Sequence, residues 1–226
     1  TNPNLADTDD DGLLDGAEVN THLTSPLIND TDQDGLSDGD EVNEYGTDPL
    51  LTDSDEDGLS DSEEVYIYQS NPLNNDSDGD GLSDFYEVNN QLDININDAN
   101  EDADGDGLIN IDEMAQQTDP NNVDSDNDGL NDGDEVHTYL TLPLNRDTDS
   151  DSMPDGWEIS YAFDPLSSTD RAFDFDEDNY ANYIEYFLES DPTNSLDIPV
   201  AKLWNSYQGN ADHSGFSAMT IDPENL

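Results

Sequence analysis

A twelve-residue segment, Asp30-Thr31-Asp32-Gln33-Asp34-Gly35-Leu36-Ser37-Asp38-Gly39-Asp40-Glu41, recurs in variant form eight times along the chain. Nothing else in the sequence limits the fold as strongly. Numbered from its first residue, it carries acids at 1, 3, 5, 9 and 12, glycine at 6 and an apolar residue at 7. Alternating acids bring several carboxylates to one point when the chain curls around it. Left alone those charges repel, so the curl needs a cation at its centre. Glycine at 6 allows the sharp left-handed turn that a Cβ resists, as at Gly35. The apolar side chain at 7 is free to face a core while its backbone carbonyl turns inward.

The segments begin at Asp7, Asp30, Asp53, Asp76, Asp102, Asp124, Asp147 and Asp174. Position 3 holds Asp9, Asp32, Asp55, Asp78, Asp104, Asp126, Asp149 and Asp176. Position 5 holds Asp11, Asp34, Asp57, Asp80, Asp106, Asp128, Asp151 and Asp178. Leu13, Leu36, Leu59, Leu82, Leu108, Leu130, Met153 and Tyr180 stand at position 7 as backbone ligands. Position 9, a ligand through water, is Asp15, Asp38, Asp61, Asp84, Asn110, Asp132, Asp155 or Asn182. Position 12 is always glutamate, long enough to close a shell with both oxygens: Glu18, Glu41, Glu64, Glu87, Glu113, Glu135, Glu158 and Glu185. This is the donor pattern of the EF-hand calcium loop, and it predicts eight calcium sites. A merely acidic, solvated tail would scatter Asp and Glu freely, and eight copies in phase do not fit that alternative.

Charge makes the cation part of the fold. Three Lys+Arg against 59 Asp+Glu give −56, and hydrophobic content is 31%. Such a chain lies at the edge of the disordered class. Eight divalent ions would reduce the formal charge from −56 to −40. The same polyanionic character excludes nucleic acid and anionic membrane surfaces as direct partners. With no cysteine there are neither disulfides nor thiolate metal sites, so calcium is the expected staple. No apolar run reaches the roughly 18 residues of a membrane span.

Loop starts are 23, 23, 23, 26, 22, 23 and 27 residues apart, a period that means a repeat array in which each unit touches mainly its neighbours. The gap between loops leaves room for one short helix and a turn, not the helix pair of a switching EF-hand. Asp38 is expected to N-cap a helix carrying Glu41, Val42 and Tyr45. Gly46 ends it, and Thr47-Asp48-Pro49-Leu50 leads out. Leu36, Val42, Tyr45 and Leu50 form the apolar set of one repeat, too small to fold alone. The predicted fold is therefore an elongated repeat array of irregular loops, one short helix per repeat, little β-structure and no single globular core. Leu92-Asp93-Ile94-Asn95-Ile96 alternates as a short strand would. That segment and the added length at 167–173 are expected to bend the array. Residues 1–6 are expected to be the tail of a preceding repeat, 7–196 the eight repeats, and 197–226 an aromatic tail of different character.

The consensus at 30–49, Asp-Thr-Asp-x-Asp-Gly-Leu-x-Asp-Gly-Asp-Glu-Val followed by Tyr-Gly-Thr-Asp-Pro, resembles bacterial thrombospondin type 3 repeats over about 7–195. The resemblance implies a secreted or cell-surface bacterial protein with the array as a calcium-rich stalk between other domains. Leu203-Trp204-Asn205-Ser206-Tyr207-Gln208-Gly209 with His213-Ser214-Gly215-Phe216 is similar to the opening of quinoprotein-like β-propeller domains.

His22, His137 and His213 stand far apart in sequence and form no expected zinc or catalytic set. No Gly-x-Ser-x-Gly elbow is present, and the acids are committed to ions rather than to glycoside hydrolysis. The expectation is a non-enzymatic extracellular spacer whose stiffness depends on calcium. An adhesive or self-assembling filament module is the alternative, and a calcium-storage polyanion a third. The partners implied are calcium ions and neighbouring copies or flanking domains of a larger parent protein.

Overall fold

In the computed structural model, which describes residues 6–199, each loop leads into one short helix and no strand occurs among the described residues. Helices α1 (Asp15–Ala17), α2 (Asp38–Asp40), α3 (Asp61–Glu63) and α6 (Asp132–Asp134) open α-helically. They run on as wider π-helical turns at Glu18–His22, Glu41–Tyr45, Glu64–Tyr68 and Glu135–Tyr139. Helices α4 (Asp84–Asn89), α5 (Asn110–Gln116), α7 (Asp155–Ser160) and α8 (Asn182–Leu188) stay α-helical. The expected class, a repeat array with one short helix per unit and little sheet, is the one observed. The chain divides into a unit ending at Thr148 and one starting at Asp149.

The helix begins one residue earlier than the sequence suggests. Ser37, not Asp38, is the N-cap of α2, its Oγ accepting from the Asp40 N–H at 3.1 Å. Serine at this place satisfies an otherwise orphan donor and leaves the Asp38 carboxylate free to turn back into the loop. At α3 the cap is a full capping box, Ser60 with Glu63. Gly46 ends the α2 helix in the left-handed region as expected, φ +82°. Leu23, Gln69 and Leu140 adopt the same cap without glycine.

Position 7 is the apolar centre of the repeat: Leu13, Leu36, Leu59, Leu82, Leu108, Leu130 and Met153 are all buried. Leu50, expected beside Leu36, is 42% exposed instead, and Thr47 is buried in its stead. The segment 92–96 is not a strand. The Ile96 N–H donates to the Asp93 carbonyl at 2.9 Å, as Leu51 does to Asp48 at 2.8 Å and Asn74 to Asn71 at 2.9 Å. With Asp93 Oδ1 accepting from the Asn95 N–H, the regular turn forms around Ile94 where its neighbours have proline. Local turn chemistry wins because no second strand is there to pair with.

Repeats of the first unit are joined through position 5. Oδ1 of Asp34 accepts from the Leu36 N–H within its own loop at 2.7 Å, and Oδ2 from the Ser62 N–H of the next repeat at 2.9 Å. Asp57 Oδ2 takes the Phe85 N–H at 3.2 Å and Asp106 Oδ2 the Gly133 N–H at 2.8 Å. At Gly39 the backbone comes so close to the Asp11 carbonyl that a Cβ would collide with it. In the second unit aromatic packing adds to this: Trp157 of α7 stands 4.9 Å from Tyr161 and 5.2 Å from Tyr186 of α8. The tail from residue 200 on, including the propeller-like stretch at 203–216, lies outside the described residues.

Candidate metal centres

Each loop is wound by its own acids. Asp30 Oδ1 accepts from the Gln33 N–H at 2.7 Å and Oδ2 from the Gly35 N–H at 3.2 Å. Asp32 Oδ1 takes the Asp34 N–H at 3.2 Å. These hydrogen bonds curl the backbone so that carboxylates at positions 1, 3 and 5 converge. Oxygens of Asp7, Asp9 and Asp11 lie within 4.8 Å of one another, as do those of Asp30, Asp32 and Asp34, of Asp53, Asp55 and Asp57, and of Asp76, Asp78 and Asp80. Asp102, Asp104 and Asp106 repel one another strongly enough to help raise Asp104 above the usual carboxylate range, burial being the larger cause. In the eighth loop Asp174, Asp176 and Asp178 all push on Glu185.

Position 12 gives the centre its character. Glu18, Glu41, Glu64, Glu87, Glu113, Glu135, Glu158 and Glu185 are all 0% exposed. Both carboxylate oxygens of Glu18, Glu87, Glu113, Glu158 and Glu185 are buried and meet no hydrogen-bond donor in the protein. Burial, reinforced by Asp32 and Asp34, pushes the Glu41 carboxyl up to about 8. Burial likewise carries Glu64, Glu87, Glu113 and Glu135 to about 8. Glu158 reaches about 9, with Asp151, Asp149 and Asp170 adding to its burial. Glu18 and Glu185 reach about 7. A carboxylate without water or a positive partner rejects its own charge. Hard oxygen donors, five acids per loop in most repeats, fit a calcium ion.

Position 9 behaves differently from the other acids. Asp38 Oδ1 and Oδ2 accept from the Thr31 N–H and hydroxyl, both at 2.7 Å. Ser54 holds Asp61, Ser77 holds Asp84 and Ser125 holds Asp132 in the same two-bond clamp. Thr8 Oγ1 reaches Asp15 at 2.8 Å. The hydroxyl at position 2, a residue the sequence reading passed over, thus ties the loop entrance to the helix start; its signal was the recurring Ser or Thr after the first Asp. Asp155 lies buried at the start of α7. Asn110 and Asn182 use their Nδ2 groups on the carbonyls of Asp98 and Asp170, both at 2.9 Å.

Two more groups were missed. Thr47 Oγ1 donates to Glu41 at 3.2 Å, Ser70 Oγ to Glu64 at 3.1 Å and Thr141 Oγ1 to Glu135 at 3.0 Å, fixing one oxygen of the buried glutamate. The hydroxyl residue two places before the exit proline, as in Thr47 before Pro49, Ser70 before Pro72 and Thr141 before Pro143, was the available signal. Position 4 also lies in the left-handed region in every loop: Asp10, Gln33, Glu56, Gly79, Gly105, Asn127, Ser150 and Glu177 all have positive φ. Residue type varies too much there for any pattern to be read. His22 is half-buried and His137 exposed, and His213 lies outside the described residues. No helix among the described residues is long and apolar enough to cross a membrane.

A family model for the bacterial TSP3 repeat matches residues 7–22, 30–52, 53–75, 76–91, 102–123 and 124–138, just over half of the chain. The matched segments end before the seventh and eighth loops, where Ser152 and Asn179 replace glycine. No curated protein matches. Among solved structures, "Biofilm associated protein - B domain" is 51% identical over 20% of this chain and 11% of that one, with a TM-score of 0.20. "Biofilm associated protein - BSP domain" is 52% identical over 20% and 8%, with a TM-score of 0.19. The chain thus spans about a tenth of the length of these two structures.

Proposed function

Because this chain belongs to the bacterial TSP3 repeat family, we propose that it is a non-enzymatic, calcium-binding extracellular spacer whose folding and stiffness depend on the bound ions. One observation carries the reading: eight glutamates at 0% exposure in a chain with only three Lys+Arg. A buried carboxylate without a counter-charge is among the most destabilising groups a protein can hold. A divalent cation removes that penalty, and its binding energy becomes folding energy. The ligands are the acids at 1, 3 and 5, the carbonyl at 7 and the glutamate at 12. The acids at 9 clamp their loop to its helix, and Asp38 also turns toward Asp11 and Glu18 of the loop before it. Extracellular modules of this kind bind calcium at roughly 10⁻⁴–10⁻³ M, which suits a surface location where calcium is plentiful. The eight repeats of 7–196 then hold flanking domains of a larger parent apart.

Small-angle scattering of the chain with calcium and with excess chelator tests this. Chelation should expand the chain toward a coil, and magnesium should restore little, since its small octahedral shell suits a bidentate glutamate poorly. An identical profile with and without divalent ions would sink the proposal.

A second reading, calcium-dependent self-association, is favoured by a repeated surface feature. Leu27, Leu50, Leu73 and Leu144 occupy equivalent places after the exit proline and are 64%, 42%, 50% and 53% exposed. Scattered exposed leucines are ordinary, whereas a regular series suits contact with another chain. Sedimentation that becomes concentration-dependent only with calcium would select this reading over the monomeric spacer.

A further inference from the structure

Where loops of the first unit stand 22 or 23 residues apart, the acid at position 9 of one repeat faces the carboxylates of the loop before it. Asp38 groups with Asp11 and Glu18, their oxygens within 4.8 Å of one another. Asp84 is among the charges acting on Glu64, and Asp132 among those acting on Glu113. After the fourth and seventh loops the spacing is 26 and 27, and position 9 of the following repeat is the uncharged Asn110 or Asn182.

In both places the inserted segment supplies an acid instead. Asp98 lies twelve residues before Asn110 and Asp170 twelve before Asn182, each with its carbonyl held at 2.9 Å by the asparagine Nδ2. Oδ2 of Asp98 accepts from the Asp93 N–H at 3.3 Å, and Oδ2 of Asp170 from the Asp164 N–H at 3.0 Å. Oδ1 of each is buried and meets no donor, and Asp170 as a residue is only 9% exposed. The surroundings copy a regular junction. The N–H groups of Asp98 and Ala99 donate to Asp80 Oδ2 at 3.0 and 2.7 Å, as Ser62 does to Asp34. The Arg171 guanidinium reaches the Asp151 carbonyl, as the Ser62 hydroxyl reaches that of Asp34. Beside them Glu87 and Glu158 bury both oxygens without a donor.

Buried carboxylate oxygens that come together repel unless a cation lies between them. We propose that Asp98 and Asp170 are calcium ligands of the fourth and seventh loops, supplied by the inserted segments where the position-9 acid is missing. Asn110 and Asn182 are the positioning residues that hold them there. This inference rests on the calcium reading above.

Terbium, a calcium-sized luminescent ion, tests it in the full chain. Trp157 sits at position 11 of the seventh loop, and the emission lost in Trp157→Phe belongs to that loop. In Asp170→Asn the terbium concentration that half-saturates this emission should rise about tenfold, and emission lifetimes in H₂O and D₂O should show one more bound water. Far-UV circular dichroism at saturating calcium checks that the variant folds. Asp98→Asn, read by calorimetry, gives an independent measure at the fourth loop. Unchanged half-saturation and unchanged hydration in Asp170→Asn would overturn the assignment and leave Asp170 as a backbone brace. A wild-type chain that binds neither ion would overturn the calcium reading itself.

Discussion

Ser152 holds φ at +82° where the first six loops have glycine, and Ser150 two residues earlier is at +64°. A side chain in that region costs about 1–2 kcal/mol. Arg171 partly offsets this by donating to Ser152 Oγ at 3.1 Å while stacking 4.5 Å from the Tyr183 ring centroid. Ser152→Gly should therefore strengthen calcium binding at the seventh loop by up to about tenfold, at about 1.4 kcal/mol per decade. Direct terbium titration read through Trp157 measures this, and a weaker site would contradict it. The buried glutamates make a second prediction. Their carboxyls lie at about 7 to 9 in the ion-free fold, far above an unfolded value of about 4.3. A raised acid stabilises the ion-free fold fully below its unfolded value, and that contribution is lost progressively as pH climbs from about 4.3 to the folded values of about 7–9. Calcium competes with the same protons, so binding should release protons at pH 7 and weaken as pH falls toward 5. Calorimetry in buffers of different ionisation enthalpy measures the release, and a proton count of zero would refute it. The acid clusters were legible because like charge recurs at fixed offsets. Gln33 and Glu56 gave no sign of their left-handed backbone, since side-chain type there follows no rule.

At the scale of an element, the helix is less a core-builder than a mount for one glutamate. Its first turn receives the position-5 carboxylate of the preceding repeat, so loop and helix of successive repeats share one joint. Gly39 makes the tightest such joint, backbone against the Asp11 carbonyl. Gly39→Ala should force the first two repeats apart and cost about 1–3 kcal/mol, the usual range for overpacking. Amide exchange with calcium bound should quicken across 7–45 and stay unchanged across 102–139; uniform protection would show the joint to be dispensable. The helices and their count followed from the spacing of loops. The exit turn at 92–96 did not, because an alternating pattern is read as a strand unless one knows that no partner strand exists. Asp98 and Asp170 were invisible for a related reason: they act from outside the period that revealed all the others.

At the scale of the whole molecule, stability is a sum over neighbours rather than the property of one core. The array was readable from its period, and −56 with 31% hydrophobic residues is what pointed to a cation. What binds one repeat to the next was not readable, because it runs from carboxylate to backbone N–H and a backbone donor leaves no mark in sequence. The shared position-5 carboxylate has a further consequence, one for inheritance. Since the acceptor is present in every loop and the donor is main chain, unequal crossing-over between two regular repeats regenerates the joint whichever copies recombine. Length can then drift by whole units of 23 residues while the chemistry at each seam stays the same. The seams after the fourth and seventh loops are the exception: Asp98 with Asn110, and Asp170 with Asn182, must travel together or the lineage loses a site.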